Sequence, residues 1–385
     1  MYRWGQEEID AVARVIQSGS LFRINSKYNE VGNFEKALLQ MVGTKYALCV
    51  TSGTAALATS LAALGIGPGD EVIIPGYTFI ATASAILSVG AIPVLCEIDE
   101  TLTMDPIDME NKISSHTKAI IPVHLRGFPC DMDRITEISK KHNLYVIEDA
   151  CQANGGSYKG KRLGSFGEFG TFSYNWYKII SAGEGGALVT NNPKAFERAI
   201  IYADPGANFW LYDQPITTPY FVAQNYRVSE ITGAVLRVQL GRLDGILFDL
   251  RKVRNTIMSA LDDKVCFAPS YDRNGDCGYT LPIQFDDIGT AESFAKKYDE
   301  GDPRPINTGK HVYRNWTSLM EKRVSHSDKV NPFFNPLNKG LNMEFSPESL
   351  PRTIELLSRT VYIDINPDWI YDDIAVQIDR VLKAL

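Results

Sequence analysis

Paired cysteines are the first thing this chain lacks. Its six cysteines, Cys49, Cys96, Cys130, Cys151, Cys266 and Cys277, are scattered over 385 residues without a C-x-x-C pair. Several sit inside apolar runs, where a reduced thiol packs as a small hydrophobe. The five histidines show no ligand spacing with one another or with cysteine, so no metal site is expected. No segment reaches the roughly 18 uninterrupted apolar residues that a membrane span needs. The start, "MYRWGQEEIDAVARVIQSGS", is acidic and amphipathic, without the basic end, apolar stretch and small-residue cleavage site of a signal peptide. Dense basic runs are missing as well. With 39 Lys and Arg against 46 Asp and Glu the formal charge is −7, which argues against a nucleic-acid partner. Together these absences predict a protein of the reducing cytoplasm.

What is present is apolar content: 44% of the residues are hydrophobic and only 22% charged, as in a well-packed globular protein. The length is too great for one ordinary core, and the pattern divides into a large unit, residues 1–240, and a smaller one, 241–385. In the first, short Val/Ile/Leu-rich runs at 71–75, 92–98, 118–124, 144–150 and 186–191 alternate with helical stretches such as "TAALATSLAALG". Continuous apolar runs of that length read as buried parallel strands joined by crossover helices. The predicted class is therefore α/β, a mostly parallel sheet covered on both faces, followed by a smaller α+β unit. Residues 229–261 carry helical spacing without a proline and form the bridge, 300–345 reads as loop-rich, and the chain ends in the amphipathic "DDIAVQIDRVLKAL".

Four stretches fall at strand ends or helix starts, where open α/β sheets bind ligands. In "TSGTAAL" (51–57), Ser52, Gly53 and Thr54 offer backbone N–H groups, hydroxyls and a helix N-terminus to a phosphate; an ordinary helix cap is the alternative. In "PGYTFIATA" (75–83), Tyr77 and Phe79 could stack on a planar ring or belong to a core. In "VIEDACQANGG" (146–156), Glu148 and Asp149 alternate on a strand, so one faces the cleft while the other turns away. A buried acid needs a partner that carries charge or a proton. In "NWYKIISAGEGGALVTNN" (175–192), Lys178 precedes a glycine-rich turn, with Ser173 five residues before it. A phosphate anchor, an aromatic stacker, a buried aspartate and a cleft lysine are together what pyridoxal phosphate requires.

Through "SGTAAL", "GDEVIIPGYTFIATASAI", "EDACQANGGSYKGKRLGSFGEFGTFSY", "GEGGALVTN" and "NYRVSEI", nearly the whole chain resembles the DegT/StrS-type sugar aminotransferases, within the fold-type I pyridoxal phosphate enzymes. The resemblance implies that Lys178 bonds covalently to the cofactor and then moves the substrate proton, and that Asp149 pairs with the pyridinium. It also implies that Gln152 contacts the ring hydroxyl, that Phe79 stacks on the ring, and that Gly53, Thr54 and Ser173 hold the phosphate. Asn225 corresponds to a residue that reaches the neighbouring subunit's phosphate, which implies a homodimer with shared sites. By the same resemblance, the reaction converts a keto or aldehyde group of a sugar or sugar-like polyol to an amine, with glutamate or glutamine as donor. A dehydratase of the same fold is the alternative, although such relatives carry histidine where this chain has Lys178. A cofactor-binding regulator without turnover is another.

The departures concern the substrate. "VHLRGFPCDM" replaces the more usual "VHLYGQPADM", and "SLFRINSKYNEVG" brings Arg23 towards the pocket. Arg23 and Arg126 are candidates for reading a carboxylate or phosphate, with exposed loop charges as the alternative. His311, in the loop-rich stretch, is a third substrate candidate.

Overall fold

The computed structural model describes residues 3–23, 26–206 and 216–385. Two helices come first, α1 Gln6–Ser18 and α2 Glu30–Val42. The chain then alternates β1 Tyr46–Val50, α3 Gly53–Ala63, β2 Glu71–Pro75, α4 Ala81–Ser88, β3 Ile92–Cys96, α5 Pro106–Asn111, β4 Thr117–Ile120, α6 Met132–Lys141 and β5 Tyr145–Asp149. A small hairpin of β6 Ser157–Tyr158 and β7 Lys161–Arg162 precedes β8 Phe169–Ser173, β9 Gly186–Thr190 and α7 Pro193–Ala203.

Seven of these strands make one sheet in the order β1-β9-β8-β5-β4-β2-β3. Alternation along each strand builds two cores. Val72 and Ile74 of β2 point into a cluster with α3, α4 and α7, whereas Ile73 points into the opposite cluster with α2 and α6. Both faces are thus covered, which is why the strands carry unbroken apolar runs.

The four pairs from β3 to β8 are parallel, but β9 runs antiparallel to both β8 and β1. The expectation of a parallel strand at 186–191 is corrected here. Residues 174–185 form no helix, and a parallel return needs a crossover of a dozen or more residues, usually helical. The chain instead folds straight back, and the turn it makes is the one that carries Lys178.

Helix α8, Glu230–Leu261, runs unbroken over 32 residues, with Ser229 capping the N–H of Thr232. It packs on α1 and α2 at one end and meets the last helix at the other, so residue 240 lies inside a helix rather than in a linker. Beyond it, β10 Cys266–Phe267, β11 Thr280–Gln284 and β12 Thr360–Asp364 form a second, antiparallel sheet. It is accompanied by α9 Ile288–Tyr298, α10 Thr317–Met320, α11 Pro351–Ser358 and α12 Tyr371–Ala384. Between α9 and α11 the chain is mostly short 3₁₀ turns, as the weak periodicity of 300–345 predicts.

Candidate active site

A cavity of about 560 Å³ opens where β1, β2, β4, β5 and β8 end, and residues following those strands line it. At one end, Ser52 caps α3: its Oγ accepts the N–H of Ala55 at 3.1 Å. The hydroxyl is thus a cap, as the alternative reading had it, while the N–H groups of Gly53 and Thr54 lie ahead of the intrahelical ladder and remain for a ligand. The helix start is pressed onto the sheet. A Cβ on Gly53 would lie 2.6 Å from Cys151 Sγ and 2.9 Å from Ser173 Cβ, and one on Gly186 would lie 2.3 Å from the Ser52 carbonyl carbon. Only glycine permits that approach. Burial pushes the Cys151 thiol well above its ordinary pKa, so it is inert packing.

Asp149, at the end of β5, is 6% exposed. Its Oδ2 accepts from Thr82 Oγ1 at 2.9 Å and its Oδ1 from the N–H of Cys151 at 3.2 Å. Thr82 is itself held by Thr78 at 2.8 Å. Both donors to Asp149 are neutral, and it forms no ion pair with a Lys, Arg or His among the described residues. A buried carboxylate facing a cavity with neutral partners only is fitted to a cation that enters the cavity. Glu148 turns the other way, as strand alternation requires. Its Oε2 accepts the N–H of Gly164, its Oε1 those of Phe166 and Gly167, and it also meets His124 Nε2 at 3.2 Å. The Cys130 N–H donates to His124 Nδ1, so Nε2 carries the proton and donates to Glu148.

Lys178 is half-buried and lines the cavity, and its side-chain amine has no hydrogen bond and no carboxylate within 4 Å among the described residues. The turn holds it from both sides: Lys178 N–H donates to Asn175 O at 3.0 Å, and Trp176 N–H to Gly183 O at 3.0 Å. Phe79 also lines the cavity, with its ring centroid 5.2 Å from that of His311. His311 Nδ1 lies 3.3 Å from Thr308 O, which can only accept. Nε2 is therefore bare and takes a hydrogen bond from Gln152 Nε2 at 3.2 Å. Burial lowers the His311 pKa to about 4, and Arg126 and Lys178 push the same way against the Thr308 carbonyl. The other amide atom of Gln152, Oε1, accepts the backbone N–H of Arg126 at 3.3 Å.

Gly53, Thr54, Phe79, Asp149, Gln152, Ser173, Lys178, Arg126 and His311 are thus gathered around one cavity. Two candidates are not. Asn225 is exposed and does not line it, its Oδ1 accepting the N–H of Arg227 at 3.2 Å. Arg23 is corrected: its Nη1 and Nη2 donate to Glu35 Oε1 and Oε2 at 2.6 Å each, so its guanidinium is neither a cavity wall nor a free loop charge. Glu35 also accepts the N–H of Cys49 at 2.8 Å, which ties Arg23 to β1. The sequence reading missed Thr82 and Asp364. Thr82 lies three residues after Phe79 at a helix start, a spacing that puts both on one side. Asp364 ends the apolar strand "TVYID" just as Asp149 ends "YVIED".

The sequence pattern of the DegT/DnrJ/EryC1/StrS aminotransferase family matches residues 3–286. The chain belongs to this family. GDP-perosamine synthase of Caulobacter vibrioides is 43% identical over 226 residues, 57% of this chain and 59% of that enzyme's length. L-glutamine:2-deoxy-scyllo-inosose aminotransferase of Streptomyces kanamyceticus is 35% identical over 74% of this chain and 69% of its own. In three dimensions the chain is similar to the aminotransferase of Psychrobacter cryohalolentis, with a TM-score of 0.81 and 28% identity over 98% of this chain and 96% of that one. The family match stops at residue 286, yet His311 and Asp364 still line the cavity.

Proposed function

We propose that the protein is a pyridoxal phosphate-dependent aminotransferase that converts the carbonyl of a sugar or sugar-like polyol to an amine, with glutamate or glutamine as donor. The observation that carries this reading is the pairing in one cavity of a family member of Lys178, an amine, with Asp149, a buried carboxylate, neither of which has an ion-pair partner among the described residues. When bound, pyridoxal phosphate supplies an electron sink that makes the proton next to the amine-bearing carbon removable. The residues divide the remaining work. Gly53, Thr54 and Ser173 would hold the phosphate, and Phe79 would cover the ring. Asp149, oriented by Thr82, would hold the charged ring nitrogen. Gln152, its amide oriented by Arg126 and His311, would meet the ring hydroxyl. Lys178 would hold the cofactor through its amine and, once free again, would move the proton between carbons, a task suited to an amine that no carboxylate among the described residues engages. The relatives that act on nucleotide-linked sugars and on an inosose support a carbonyl acceptor of that kind.

Assembly as a homodimer with shared sites is part of the same reading, supported by the exposure of Asn225 and by Trp176 and Tyr177 beside the cavity, which are 53% and 83% exposed. A cytoplasmic location is supported by six unpaired cysteines, and no helix among the described residues is long and apolar enough to cross a membrane. We take residues 1–240 and 241–385 as the large and small units, joined through α8.

Borohydride reduction followed by peptide mass mapping tests the assignment. The cofactor should be fixed on Lys178, and Lys178→Ala should lose both fixation and amine transfer. Fixation on another lysine overturns it, and fixation without turnover on any sugar substrate favours the regulator instead.

A further inference from the structure

Arg126 stands on a backbone that few residues adopt. Its φ is 54° and that of Gly127 is 81°, a left-handed conformation that a non-glycine residue keeps only where its surroundings hold it. Three hydrogen bonds do so: Arg126 N–H to Gln152 Oε1 at 3.3 Å, His124 N–H to Asp149 O at 3.0 Å and Phe128 N–H to Leu125 O at 3.0 Å. The result is a guanidinium delivered into the cavity, 5.1 Å from the ring centroid of Tyr362.

Its counter-ion is poor. The neutral Tyr77 hydroxyl is one neighbour of Arg126, and its one carboxylate partner among the described residues is Asp364, whose Oδ1 accepts from Nη1 over a long 3.3 Å. The same oxygen already accepts from Thr280 Oγ1 at 3.2 Å. The Asp364 side chain is 73% exposed against 24% for Arg126. Arg23, with two bonds of 2.6 Å to a buried Glu35, shows what a satisfied guanidinium looks like in this fold. A mostly buried guanidinium whose carboxylate partner is distant and solvated, and whose other neighbour is a neutral hydroxyl, can still take a second anion.

We propose that Arg126 reads one carboxylate on a substrate of the reaction, and that Asp364 is a displaceable stand-in that yields the guanidinium when that carboxylate arrives. The inference rests on the aminotransferase reading of this cavity. A neutral sugar would leave the Arg126–Asp364 pair in place, whereas an acidic group would replace a long bond with a two-pronged one. The acid can belong to the sugar or to the amino donor, and the chemistry of recognition is the same.

Calorimetry on the cofactor-loaded protein separates the sources, with gluconate as an acidic sugar, gluconamide as its neutral counterpart and glutarate as a donor-like diacid. Asp364→Asn should bind gluconate or glutarate at least fivefold more tightly than the unaltered protein, with gluconamide unchanged, and Arg126→Gln should bind the same acid at least tenfold more weakly. A gain confined to gluconate assigns the carboxylate to the acceptor, one confined to glutarate assigns it to the donor, and a gain in both makes the guanidinium common to the two half-reactions. An Asp364→Asn protein that binds neither acid more tightly, or not at all, overturns the inference, as does charge-selective binding that survives Arg126→Gln. Because binding is read without turnover, this pattern can hold while amine transfer fails, and amine transfer can hold while the pattern fails.

Discussion

His311 enters the cavity as a neutral ring, and its protonation state has a measurable cost. Its pKa in the folded chain is about 4, below the ordinary 6.5. The unfolded chain therefore takes up a proton as the pH drops through 6.5, while the folded one resists until about 4. The neutral ring contributes its stability fully above that window, and the contribution is lost as the pH falls through it. Between pH 7 and pH 5 the loss is up to about 2 kcal/mol by linkage. Urea unfolding of the cofactor-free protein should show its stability advantage over His311→Gln shrinking by that amount on acidification; an advantage that does not change with pH would mean that His311 charges freely in the fold. At this scale much of the site was legible. Asp149 and Gly53 sit where a strand end or a helix start must lie, so pattern alone located them, whereas Lys178 and Ser173 were singled out by the glycine-rich turn and by the resemblance. Arg23 was misread because Glu35 lies 12 residues away on a helix whose register against the loop no spacing rule supplies. Asp364 was legible in principle, as an apolar strand ending in an acid, but nothing local says that β12 comes to the cavity.

Elements owe their positions to a few close approaches, and glycines separate the essential from the incidental. A Cβ on Gly186 would overlap the Ser52 backbone at 2.3 Å, whereas one on Gly241, in the middle of α8, meets nothing within 4 Å. Gly186→Ala should push the start of α3 off the sheet and weaken cofactor binding by about tenfold or more, as measured by spectral titration. Gly241→Ala should instead raise stability by about 0.5–1 kcal/mol, because alanine loses less backbone entropy in a helix. If both variants bind cofactor normally, the seating of α3 on β9 is not what shapes the phosphate end. The directions of the elements were less legible than their existence. Apolar runs identify buried strands but carry no information about hydrogen-bond direction, so β9 was placed and its polarity missed. Strand β8, "FGTFS", escaped because glycine, threonine and serine dilute its apolar signal, although all five residues are buried.

For the whole molecule, the exposed Asn225 raises the question of whose site it serves. If it reaches a neighbour's phosphate, mixing Lys178→Ala chains with Asn225→Ala chains should restore up to about a quarter of full activity on statistical exchange, since one site of a mixed dimer carries both defects and the other neither. Subunit exchange, followed by mass spectrometry, and a severe defect in the Asn225 variant alone are the controls; exchange without recovery means that each site is self-contained. The cavity also crosses a border in the chain. Lys178, Asp149 and Arg126 precede residue 286, where the family match ends, and His311 and Asp364 follow it. A hybrid with its crossover there would inherit its chemistry from one parent and part of its substrate wall from the other. The seam would fall between β11 and β12, whose ladder pairs Thr280 with Asp364 and Gln284 with Thr360. Parents that share this register can exchange their last hundred residues as a cassette, and a one-residue slip would turn Asp364 to the far side of the small sheet.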